Sequence, residues 1–210
     1  TADWKITKVL NAPGLGISDA VFAPEQAAQV ASTDGTDGTS KSVAGPASAD
    51  QPGIVATFDG TAAHLWNLND NAHLADFRPL YAVHSTALSP NAEHPLLLTG
   101  DRAIRIFDAA EDSERFGQTI FKISDPHRGV VTSLCFAPNS HANRFVSCGA
   151  DGSALLWNWD AALNQATIES CLKAVGPDRA GFDIAQPHGE RVAIVQASWS
   201  PDEKLVLLVN

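Results

Sequence analysis

Ser147, His127 and Asp151 carry the hydroxyl, imidazole and carboxylate of a hydrolytic triad, the set that turns a serine into a nucleophile. Their surroundings argue against that chemistry. Ser147 lies in Val146-Ser147-Cys148-Gly149, inside an apolar run, with no Gly-x-Ser-x-Gly turn to thrust its hydroxyl outward. The seven histidines, at 64, 73, 84, 94, 127, 141 and 188, form no His-Glu-x-x-His pair and have no cysteine pair beside them. No metal and no cofactor are expected. Asp34-Gly35-Thr36-Asp37-Gly38-Thr39 resembles a calcium loop in composition but lacks the bidentate glutamate such a loop needs. Gly14-Leu15-Gly16 is too short to cradle a phosphate. Cys135, Cys148 and Cys171 are odd in number and include no Cys-x-x-Cys, which argues against a disulfide framework and against a zinc cage. Cys135 and Cys148 sit in apolar runs, where a free thiol serves as a small core group in a reducing compartment.

Charge narrows the partners. The formal net charge of −10 disfavours nucleic acid and an anionic membrane surface, both of which call for a basic stripe. No apolar run reaches the roughly 18–20 residues of a membrane helix. A cytoplasmic location is expected. The chain has no methionine, even at position 1, and its last residues form an apolar run. Both ends therefore read as cuts in a longer polypeptide.

The elements that position these side chains are short strands. Phe22-Ala23-Pro24, Leu88-Ser89-Pro90, Phe136-Ala137-Pro138 and Trp199-Ser200-Pro201 each close an alternating apolar run. Each is followed by a polar turn and a second apolar run. The clearest unit has strands over 131–136, 144–148 and 153–157, the last two joined by the tight turn Ala150-Asp151-Gly152. A fourth strand is expected in 167–175 or in 181–185, and a short helical turn over 161–166. A second copy has strands at 81–89, 95–99 and 103–107. A third has them at 17–23, 53–58 and 62–66. A fourth begins with 191–200 and 204–209. Two polar excesses, about 25–52 and about 160–187, stretch a period of roughly 40–45 residues. The first is too poor in apolar groups to order itself and reads as a flexible loop. A unit of this kind cannot bury its own hydrophobic face and must stack on copies of itself.

From His127-Arg128-Gly129-Val130 through Phe136-Ala137-Pro138, and on through Ser147 and Asp151 to Trp157-Asn158, the chain resembles a WD-repeat (WD40). The resemblance implies an all-β fold, a β-propeller of four-stranded antiparallel blades, with three to four blades in this chain. The units are residues 15–80, 81–126, 127–187 and the start of another at 188–210, with 1–10 as the outer strand of a preceding blade. It also implies that His127, Ser147, Asp151 and Trp157 form a structural tetrad. Asn158 stands where the family often has Asp. Asp59 and Asp101 keep the turn acid in the weaker units, neither unit has a clear opening His, and Phe107 replaces Trp.

By the same resemblance, the function expected is a protein–protein interaction scaffold or regulatory domain, with missing blades supplied by the rest of the polypeptide or by another chain. The partner-binding face falls at Arg128, Val130, Ala150, Arg191 and Phe58. Two rival readings remain at this point. One is a propeller hydrolase or lactonase with a channel site, and the other a sensor appendage of a signalling enzyme.

Overall fold

Period-2 alternation gives each strand two faces, and here most strands are apolar on both. A sheet of such strands is soluble only if neighbouring sheets cover both sides. The computed structural model describes residues 19–22, 54–67, 72–79, 81–91, 94–138, 144–173 and 193–209. These residues form strands and turns, with no helix among them.

The first blade contains β1 (Asp19–Phe22), β2 (Ile54–Phe58), β3 (Ala63–Asn67) and β4 (Ala72–Phe77). The second contains β5 (Ser85–Leu88), β6 (Leu96–Gly100), β7 (Ala103–Asp108) and β8 (Thr119–Ser124). The third contains β9 (Val131–Phe136), β10 (Arg144–Gly149), β11 (Ser153–Asp160) and β12 (Gln165–Lys173). A hairpin of β13 (Gln196–Trp199) and β14 (Val206–Val209) follows. All pairings are antiparallel, and spatial order follows chain order within each sheet. The first strands β1, β5, β9 and β13 lie side by side. The sheets therefore fan out from their first strands as the blades of a β-propeller.

Stacking follows the alternation residue by residue. Leu97 and Phe107 of the second blade pack on Ala56, Leu65 and Phe77 of the first. Their strand neighbours Leu96, Leu98, Ile104 and Ile106 face the other way, onto Val131, Phe145 and Trp157 of the third. Val146 and Cys148 then turn toward Ile194 and Ala197 of the last hairpin. Backbone hydrogen bonds repeat the same step. Val83 N–H donates to Gly60 C=O (3.0 Å) and Val131 N–H to Asp101 C=O (2.7 Å), so a turn in one blade holds the lead-in to the next. Ser85 Oγ accepts the Leu134 N–H at 2.8 Å, and Ser133 Oγ accepts the Ala197 N–H at 3.2 Å. All three complete blades carry a register shift between the third and fourth strands, just before Trp66, Phe107 and Trp157. An extra residue of this kind bends the strand and raises its twist.

The third blade departs from expectation beyond Trp157. Residues 161–166 are not a helical turn. Asp160 Oδ1 accepts the N–H groups of Ala162 and Leu163, Asn164 takes φ 50°, and Gln165 opens β12. A stretch this short cannot nucleate a helix, whereas the ladder with β11 supplies hydrogen bonds at once. The fourth strand is thus the 167–175 alternative. The excess placed at 160–187 is strand over residues 165–173, after the turn at 161–164; residues 181–185, like residues 1–10 and 25–52, lie outside those described.

Gly100 shows how close the blades approach. A Cβ there would lie 2.8 Å from Val131 Cγ1 and 3.2 Å from Leu134 Cδ1. Gly100→Ala should lower stability by about 1–3 kcal/mol, read from the denaturation midpoint.

Candidate interaction face and the polar network beneath it

The polar core of the third blade is one directed chain of hydrogen bonds. An indole N–H can only donate and a carboxylate can only accept, so the ends fix the direction of everything between. Trp157 Nε1 donates to Ser147 Oγ at 2.9 Å, which leaves the Ser147 hydroxyl to donate to His127 Nε2 at 2.8 Å. His127 Nδ1 then carries the proton and donates to Ser153 Oγ at 2.8 Å, and Ser153 donates to Asp151 Oδ1 at 2.6 Å. Asp151 Oδ1 itself lies 3.4 Å from His127 Nδ1. Ser153 is a fifth member that the sequence reading missed; a hydroxyl two residues after a turn aspartate was its signal.

The direction of this chain sets the charges. Burial pushes the His127 imidazole below its ordinary value, outweighing the nearby Asp151 charge. Burial acts upward on the Asp151 carboxyl. Hydrogen bonds from the Ser153 hydroxyl and the Arg128 and Ser153 N–H groups, with the His127 charge, more than offset it and bring Asp151 down to about 2. A second proton on His127 would leave the Ser147 hydroxyl without that acceptor. Gly149 must lack a side chain here, since a Cβ would sit 2.6 Å from the His127 ring. Ser147 is fully buried and engaged on both sides, out of reach of any substrate. Burial likewise raises both core thiols, Cys148 to about 12.

The other blades solve the same problem with different groups. By strand register, Thr57 and Thr99 occupy the place of Ser147, and Trp66 and Phe107 that of Trp157. Trp66 Nε1 donates to Thr57 Oγ1 at 3.0 Å. Phe107 has no N–H to give, and the buried Thr99 hydroxyl has no hydrogen-bond partner among the described residues. The turn aspartates are met from the third strand. Arg105 Nη1 lies 2.5 Å from Asp101 Oδ2, and His64 Nε2 lies 3.5 Å from Asp59 Oδ2. His64 and Arg105 share one register position, which Leu155 fills in the third blade. Asp59 also accepts from the Thr61 hydroxyl and the N–H groups of Thr61 and Ala62, and these bonds hold its carboxyl far below the usual range despite burial.

The network fixes the rim above it. Arg128 donates its backbone N–H to Asp151 Oδ2 at 2.9 Å, while its side chain is exposed. Ala150 is exposed and donates its N–H to the Val130 carbonyl at 3.0 Å. Arg128, half-buried Val130 and Ala150 are thus brought together. Phe58 is not part of this rim. It is 6% exposed and packed with Val83 and Phe77 between the first two blades, because the end of β2 aims it inward. Arg191 lies outside the described residues. Two rim groups were missed. Tyr81 is 60% exposed and, since Ser85 takes the register place of Ser133, stands where Gly129 stands between Arg128 and Val130. Arg102 is exposed in the β6–β7 turn.

Comparison with known proteins agrees with this geometry. Residues 117–158 match the WD40 family, the WD domain, G-beta repeat. That stretch runs from the outer strand β8 of one blade into β11 of the next, so a single repeat straddles two sheets. Among solved structures, a chain in the crystal structure of a mitotic checkpoint complex is similar, with 18% identity and a TM-score of 0.54. The likeness covers 74% of this chain and 42% of that one, and at such identity it shows the fold alone. No match is found among curated proteins.

Two outcomes are expected. Thr57→Val strands the Trp66 N–H and should cost about 1–3 kcal/mol, whereas Thr99→Val removes an orphaned hydroxyl and should be neutral or stabilising by about 1 kcal/mol. Chemical denaturation of both variants gives the two signs. His127 contributes a pH dependence. Its folded value lies below 6.5, so its share of stability is present above pH 6.5 and lost as pH falls through the folded value. Asp151 adds a further loss between 3.8 and about 2. His127→Asn should abolish the first limb in pH-dependent unfolding and shrink the second only in part, since the hydrogen bonds from Ser153 and Arg128 to Asp151 remain.

Proposed function

We propose that this chain, which carries a WD40 repeat at residues 117–158, is a protein-interaction scaffold or regulatory domain of a larger polypeptide with no catalysis of its own. What carries the reading is the pairing of a rigid buried network with an exposed rim directly bonded to it. Arg128 is anchored through its backbone to Asp151 while its guanidinium stays outside. Loop residues on such a scaffold meet a partner with little ordering cost.

The partner is a protein or peptide presenting carboxylate or phosphoryl groups to Arg128 and Arg191, with Val130, Ala150 and Tyr81 as flanking contacts. Guanidinium groups suit such anions because they donate in pairs. With a formal net charge of −10, these arginines would be a local exception on an acidic body, which disfavours nucleic acid and anionic lipid as partners. The units at 15–80, 81–126, 127–187 and 188–210 act as successive blades, and the remaining blades come from the rest of the polypeptide or another chain. A cytoplasmic location fits the three free thiols.

Arg128→Glu and Arg191→Glu should each weaken partner capture by about tenfold or more and leave the melting temperature unchanged. Pull-down with the complete propeller, read beside thermal unfolding, tests this. Unchanged capture removes both arginines from the interface.

A further inference from the structure

Among the described residues, the first blade holds a cluster the other blades lack. His64 Nδ1 and His73 Nε2 converge on one oxygen, Asp76 Oδ1, at 2.7 and 2.8 Å. The potential ligand atoms of the three side chains all lie within 4.8 Å of one another. On a regular strand, residues 73 and 76 would point to opposite faces. The register shift between Leu65 and Trp66 pairs Leu65 with Ala75 and Trp66 with His73, so Leu74 is the extra residue that brings His73 and Asp76 together. By register the corresponding residues are Arg105, Thr119 and Lys122 in the second blade, and Leu155, Ile168 and Cys171 in the third. Those blades form the same four-stranded sheet without the cluster, so the fold does not require it.

We propose that His64, His73 and Asp76 form a binding site for one divalent transition-metal ion of the zinc class. Two imidazole nitrogens and one carboxylate oxygen are the donors such ions prefer, and a fourth position would remain for water on the side where His73 and Asp76 reach solvent. The surroundings suit the role. Asp59 Oδ2 stands 3.5 Å from His64 Nε2, where it would receive the proton once Nδ1 turns its lone pair to the metal. Nε2 has no other partner among the described residues. Arg78 holds Asp76 Oδ2 at 3.0 Å and leaves Oδ1 directed at the two imidazoles. The arginine charge opposes the cation and limits affinity. The spacing of these residues conceals the site in the sequence, because its members lie on two paired strands and a bulge sets their phase.

The test uses the chain stripped with chelator and then equilibrated with Zn²⁺ alone, followed by removal of excess metal and elemental analysis. One zinc per chain is expected, with a higher melting temperature than the stripped chain. His73→Ala should lose both effects; His73 is one-third exposed on an outer strand, so the variant keeps the core intact. Asp76→Asn serves as a second variant with the same expected loss. His84→Ala with His94→Ala removes two exposed histidines elsewhere and should keep the zinc. Equal zinc in the wild type and His73→Ala, or loss in the His84/His94 variant alone, overturns the proposal. Co²⁺ in place of Zn²⁺ should give the visible absorption of a low-coordinate nitrogen and oxygen site, absent in His73→Ala.

Discussion

Face-to-face burial between successive sheets is the constraint on which the rest of this structure depends. A four-stranded sheet with two apolar faces has no stable existence alone, and at about 25 cal/mol per Å² its exposed faces would dominate the folding balance. The second blade illustrates the solution. Leu97 and Phe107 serve one neighbour, and the residues beside them serve the other. The two sets are interleaved along the same strands, so a one-residue slip would exchange the two interfaces at once. Register must therefore be held, and that need accounts for the polar groups in an otherwise apolar interior.

The three blades hold register differently. In the third, a line of donors from Trp157 to Asp151 ties the second and third strands to the lead-in of the first. In the second, a buried Arg105–Asp101 pair anchors the turn, and Thr99 is unsatisfied among the described residues. In the first, His64 takes the place that Arg105 takes in the second. The turn aspartate is common to all three, while the group that answers it moves between the loop and the third strand. Removing one partner of such a buried pair costs more than the pair contributes, which explains why the aspartate stays even as its partner changes.

This mobility of partners sets how far the fold and site could be read from residues alone. The strands, the turn at Asp151-Gly152 and the members His127, Ser147, Asp151 and Trp157 stand out because they depend on short-range patterns: alternation, a positive-φ glycine, a tryptophan at the close of a run. His64 and Arg105 do not, since their importance arises from cross-strand register, and Ser153 shows only in its spacing of two residues from the turn aspartate. Phe58 was misassigned for a related reason. Its proximity to a turn suggested the rim, but strand phase decides whether a side chain faces solvent or the next blade. The stretch after Asp160 looked helical from its alanines, yet its hydrogen-bond partners were waiting on β11.

The same logic separates positions free to specialise from those that are not. Gly149 admits no side chain, and Ser147 is committed as donor to His127 and acceptor from Trp157. Arg128, by contrast, gives its backbone to the scaffold and its side chain to solvent. A residue held in this way can change its chemistry without disturbing the blade. The exposed part of the β3–β4 surface has similar freedom, because the sheet closes whether that surface carries His73 and Asp76 or the threonine and lysine of the next blade. Stacking thus consumes the strand interiors and leaves the rim and outer strands as the places where one blade can differ from another in function.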